Sequence, residues 1–119
     1  MQNFQAGDYL IFQIESGFGL MRILGIEKDE NGENIWHLSA FNELFLDVEF
    51  ADMALVNSES LTISNPHFVI TQRAFEATQT ARMSNQPLSE HEKQLVESWR
   101  VNPENQVSDL SARLLLGLR

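Results

Sequence analysis

Residues 8–15 read Asp-Tyr-Leu-Ile-Phe-Gln-Ile-Glu, an apolar run that becomes alternating and is rich in the aromatic and β-branched residues that fit a pleated sheet. This predicts a first strand. Gly17-Phe18-Gly19 follows as the expected tight turn, because glycine accepts positive φ without steric cost. A second strand is expected over 20–27, and then Lys28-Asp29-Glu30-Asn31-Gly32-Glu33, in which Asn-Gly is a strong hairpin signal. The third strand, 35–41, alternates so that Ile35, His37, Ser39 and Phe41 share one face and Trp36, Leu38 and Ala40 the other. Three strands in this order form a meander.

Between 42 and 56 the period is mixed. Phe41, Phe45 and Val48 suit a helical face while 45–50 partly alternates, and a short helix over 47–55 is the expectation. A brief strand over 60–64 is stopped by Asn65-Pro66, and 67–70 either continues the sheet or leads into a helix. Thr71 is placed to N-cap a helix running from 72 to about 83, with Ala74, Phe75, Thr78 and Arg82 at helical intervals. Ser89-Glu90-His91-Glu92 is a capping box. The helix it opens turns Leu95, Val96 and Trp99 inward and stops at Asn102-Pro103, and a last helix gathers Leu110, Leu114 and Leu115. Strands first and helices afterwards is the α+β pattern. The expected fold is a small twisted antiparallel sheet, or an SH3-like partly closed barrel over 5–65, followed by about three short helices, all in one domain spanning 1–119. There is no internal repeat, low-complexity tract or long linker.

Composition adds exclusions. A chain of 119 residues, 43% apolar, buries enough surface to fold without a staple, in keeping with its lack of cysteine. That lack removes disulfides, Cys-ligated zinc, iron-sulfur clusters and thiol catalysis. The opening residues have no basic group or apolar run of a signal peptide, and Leu114-Leu115-Leu116 falls far short of the about 20 residues that span a bilayer. A cytoplasmic protein without a membrane partner is expected.

Charge changes the picture more. Residues 1–60 carry 11 acids against Arg22 and Lys28, whereas 61–119 carry six of each sign, so the whole net charge of -9 belongs to the first half. Counterion release from a phosphate backbone is then a poor source of affinity, and no nucleic-acid partner is expected. No Lys or Arg occurs between Lys28 and Arg73, a stretch holding Asp29, Glu30, Glu33, Glu43, Asp47, Glu49, Asp52 and Glu59. Such a segment either is a solvated acidic face that keeps the protein soluble or meets a basic protein partner by electrostatic steering. On the second alternative, Glu43, Asp47, Glu49 and Asp52 are the binding residues and Trp36 an aromatic anchor.

Chemistry is thinner. Aligning Glu27, Asp29, Asn31 and Gly32 to an EF-hand loop puts Leu38 where a bidentate Glu is required, which excludes that site. Arg22 occupies the third glycine position of a dinucleotide fingerprint begun by Gly17 and Gly19, and is expected instead to pair with a carboxylate. His37, His67 and His91 are each alone in their segments, without helical zinc spacing, so no metal or cofactor is expected. His37 and Ser39 on one strand face, oriented by Glu43 or Asp47, are the catalytic candidates for a small hydrolase or metal-dependent enzyme, without a nucleophile elbow. A structural homo-oligomer is the third alternative.

Gly7-Asp8-Tyr9-Leu10-Ile11-Phe12-Gln13-Ile14 followed by Gly17-Phe18-Gly19-Leu20-Met21-Arg22-Ile23-Leu24 resembles the opening hairpin of SH3-like small barrels. It is similar in particular to the bacterial immunity proteins of the twenty-sixth class, which begin with a Gly-Asp strand and a glycine turn into a strand bearing Arg. The resemblance covers about 20 residues and excludes the helices from Thr71 onward. It implies a non-enzymatic inhibitor that occupies a secreted toxin inside the producing cell, and carries over no functional residue.

Overall fold

The computed structural model describes residues 3–118. Five strands, β1 (Asp8–Ile14), β2 (Gly17–Lys28), β3 (Asn34–Phe45), β4 (Ile63–Thr71) and β5 (Thr80–Asn85), form one antiparallel sheet in the order β4-β3-β2-β1-β5. Four helices, α1 (Val48–Val56), α2 (Gln72–Glu76), α3 (Glu90–Val101) and α4 (Ala112–Leu115), interrupt and follow the strands. The α+β class is as expected. Among the described residues, no helix is long and apolar enough to cross a membrane.

The meander forms where the alternation places it, with one shift. Ile14 pairs with Gly17, so Glu15 and Ser16 make the first turn and Gly17-Phe18-Gly19 lies within β2. The second hairpin is as expected: Gly32 has φ +79°, and Asp29 Oδ1 accepts from the amides of Asn31 and Glu33. The alternation of β3 also holds. Trp36, Leu38 and Ala40 join Leu10, Phe12, Met21 and Ile23 in the larger core, covered by α2, α4 and Phe4, while Phe41 joins Tyr9, Ile11 and Leu20 under α1.

Two expectations are corrected. The helix expected from 72 to about 83 ends at Glu76, and 80–85 are β5, paired with β1 from Asp8↔Asn85 to Phe12↔Thr80. Asp8 is buried at the join, where it accepts from the Asn85 side chain and the Gln5 amide. The brief strand at 60–64 becomes β4, which runs through Pro66 because it is an edge strand and Pro66 falls at the register shift between the Phe68 and Asn65 pairs. The sheet is open, with β4 and β5 at opposite edges, so the partly closed barrel is not formed. The far end of β4 is shielded instead by a parallel bridge from Ile70 to Ser108.

Gly19 is required by close packing. A β-carbon there would lie 2.6 Å from Cζ of the buried Phe12 ring. Gly19→Ala is expected to destabilise by about 1–3 kcal/mol through overpacking. A lowered urea midpoint with unchanged slope is the measurement; an unchanged midpoint contradicts the packing.

Candidate functional site

Two regions stand out, and the first is built on α1. Asp47 N-caps the helix, its Oδ1 accepting from the Phe50 amide at 3.1 Å. The sequence Val-Glu-Phe-Ala-Asp-Met-Ala-Leu-Val is apolar around most of the helix, but the sheet covers only the side carrying Ala51 and Leu55. The opposite side is left to solvent: Met53 is 68% exposed and Phe50 50%. Leu46, 80% exposed, and Leu44 continue this surface from β3. Leu44, Phe45, Leu46, Phe50, Met53 and Ala54 line an open groove of about 530 Å³.

The same segments carry carboxylates, none of them in the groove lining. Glu49 and Asp52 are exposed on α1, and Asp47 is exposed at its cap. Glu43, on β3, receives both the amide and the hydroxyl of Thr62, at 2.9 and 2.7 Å. Burial pulls its carboxyl upward, but these hydrogen bonds outweigh it and hold the group below the usual carboxylate range. None of the ion pairs among the described residues involves Glu43, Asp47, Glu49 or Asp52. Trp36 is not with them. It is buried in the larger core, stacked on Phe75, so the expected anchor role has no surface on which to act.

The second region is a chain of polar side chains beneath α3. His37, fully buried, places Nε2 at 2.6 Å from Glu27 Oε2 and Nδ1 at 2.9 Å from His67 Nε2. A carboxylate only accepts, so His37 donates from Nε2, and its Nδ1 accepts from the Nε2–H of His67. Glu27 in turn receives Arg100 Nε at 2.7 Å, and Trp99 stands edge-on to His37 at 4.8 Å. Burial pushes His37 below the ordinary imidazole value despite the Glu27 hydrogen bond, and burial and then the neighbouring His37 push His67 to about 4. Burial raises the Glu27 carboxyl, but Arg100 and His37 together hold it below its ordinary value. Both histidines are therefore neutral at neutral pH, each with its one N–H on Nε2, and both ring nitrogens of His37 are engaged by protein partners.

This geometry separates the catalytic candidates. Ser39 lies across from Arg22 in the β2–β3 register while His37 lies across from Gly25, and neither His37 nitrogen goes to Ser39. Glu43 and Asp47 are committed to Thr62 and to the α1 cap, and the carboxylate that orients His37 is Glu27. His91 stays in the first turn of α3, inside the capping box. Arg22 pairs with Glu92 at 3.2 Å, as expected of it.

No family model, curated protein or solved structure matches this chain. Its function therefore rests on the chemistry of these two regions.

The sequence reading missed Glu27, His67 and Arg100 as neighbours of His37. Their separation along the chain is large, and only the pairing of β2 with β3, of β3 with β4, and the return of α3 bring them together. The exposed side of α1 was missed as well, although a signal for it was present: seven of its nine residues are apolar, on all sides, which exceeds what one sheet face can cover.

Proposed function

We propose that the protein is a non-catalytic binding protein whose α1 face docks a basic partner protein. The observation that carries this is the apolar groove of Leu44, Leu46, Phe50 and Met53 on a segment, 43–53, whose charged side chains are Glu43, Asp47, Glu49 and Asp52. Exposed apolar surface of this extent is costly in water and is characteristic of docking sites. The carboxylates of the same segment supply attraction to cations and repel wrong partners. A second copy of the chain is a poor occupant, since a symmetric pairing would set the same carboxylates against one another. The apolar centre takes over the anchoring expected of Trp36, with Phe50 and Met53 as the side chains to be desolvated.

The immunity-type role is the most concrete form of this proposal. The opening hairpin supports it by its likeness to SH3-like small barrels, and in that form the partner is a toxin whose cationic surface is occupied in the cytoplasm.

A labelled amphipathic peptide of alternating leucine and lysine clusters, and its counterpart with glutamate in place of lysine, test the docking face by fluorescence anisotropy. The cationic peptide is expected to bind, to weaken at least tenfold between 50 and 500 mM salt, and to weaken at least fivefold with Met53→Ser or with Glu49→Lys and Asp52→Lys combined. Equal binding of both peptides, no binding of the cationic one, or no effect of these substitutions overturns the proposal.

A further inference from the structure

The hold of α3 on the sheet is mostly polar. Of its twelve residues only Val96 is buried, seated over Gly25, where a β-carbon would meet its methyls at 3.6 Å. Its N-terminal half is fixed by the capping box and by Glu92, which receives the Ser89 amide on one oxygen and Arg22 on the other. Its C-terminal half is fixed by Trp99 against His37 and Arg100 on Glu27.

We propose that the His37–His67 pair is an acid-sensitive latch that keeps the C-terminal half of α3 on the sheet at neutral pH and releases it on acidification. The hydrogen bonds dictate the sequence of events. A first added proton enters at His67 Nδ1, the ring nitrogen that makes no hydrogen bond among the described residues, and leaves both hydrogen bonds in place. A second has only His37 Nδ1, and there it sets N–H against N–H across a 2.9 Å contact.

The surrounding charges do not absorb this. Glu27 on β2 faces His37 but already serves Arg100, whose positive charge lies on the same side. Glu97 on α3 is paired with Arg100 at 2.5 Å. Glu104, in the loop after α3, lines the same groove as His67 and is the remaining carboxylate of that groove. Separating Trp99 and Arg100 from the sheet lets water reach both rings, which relieves the repulsion.

The sign follows from the same groups. Imidazoles in water take their proton near pH 6.5, whereas these two are held lower, His67 at about 4. The closed arrangement is thus fully favoured above about pH 6.5 and loses its advantage as pH falls towards 4.

Segment-resolved hydrogen exchange between pH 7 and 4.5, corrected for intrinsic rates, is the test. Amides of 96–102 are expected to lose protection at least tenfold while those of β1, β2 and β3 keep theirs. His67→Gln retains an N–H donor for His37 Nδ1 but does not titrate, and its α3 is expected to stay protected at pH 4.5. Unchanged protection in the parent chain, equal loss in His67→Gln, or simultaneous loss across the sheet overturns the latch. Imidazole nitrogen shifts of the unsubstituted protein give an independent reading: midpoints below the free-imidazole value of about 6.5 are expected for both rings, and midpoints at or above it overturn the latch.

Discussion

Replacing Trp36 by alanine is expected to destabilise the protein by about 3–5 kcal/mol. The indole lies parallel to Phe75 at 3.8 Å between centroids, and Phe4 meets both rings edge-on at 5.8 and 5.4 Å. Its Nε1 donates to Gln72 Oε1 at 2.8 Å, which ties α2 to β3. Alanine removes the stack, leaves a cavity that α2 and β3 cannot both close, and frees a half-buried amide. A domain of this size has a stability of about 6–15 kcal/mol, so a fifth or more of it is at stake. Urea unfolding reads the effect directly. Trp36→Phe, which keeps a ring for Phe75, is expected to lose less than half as much, and a loss under about 1.5 kcal/mol in the alanine variant contradicts the role of the stack.

Arg22→Met is expected to cost about 3–5 kcal/mol by a different route. Arg22 is buried, with its guanidinium 4.6 Å from the Tyr9 ring centroid and Nη1 donating to the Tyr9 hydroxyl. Nη2 donates to the carbonyls of Gln86 and Pro87 at 2.6 and 2.9 Å, and Glu92 supplies the countercharge. Methionine fills much of the volume but abandons two carbonyls and a carboxylate that is only 17% exposed. Much of the loss is therefore the desolvation of Glu92, and Arg22→Met combined with Glu92→Gln is expected to recover part of it. Equal stabilities of the single and double variants, measured by thermal or urea unfolding, contradict this assignment.

The elements most legible in the sequence were those whose signals are local. Thr71 caps a helix where its side chain reaches the amide three residues on, and Ser89 with Glu92 forms the expected box. The Asn31-Gly32 turn and the two faces of β3 follow equally from short-range chemistry and from period-two alternation. β5 was not legible, because Thr80-Ala81-Arg82-Met83-Ser84-Asn85 has neither strong alternation nor β-branched density. Its strand conformation is induced by the otherwise unpaired side of β1, a tertiary effect that overrides local preference.

The candidate site divides in the same way. The carboxylates of the α1 face are close in sequence, and the gap in basic residues marked them before any coordinates. Trp36 was misplaced because alternation assigns it a face but does not say what covers that face, and α2 with Phe4 covers it. The link from His37 to Glu27 and Arg100 joins β3 to β2 and α3, and no spacing rule within one segment reaches it.

The position of β1 has a consequence for how the chain is made. β1 is an interior strand whose second neighbour, β5, is far along the chain, with Asp8 and Asn85 77 residues apart. As the polypeptide leaves the ribosome, the first four strands can assemble while one side of Tyr9-Leu10-Ile11-Phe12 still offers unsatisfied backbone groups to any passing strand. Closure by Thr80–Asn85 ends that exposure, and the entropy of drawing in so distant a segment makes it a late step in maturation. Chaperone dependence, where it exists for this protein, belongs to that interval rather than to the finished globule.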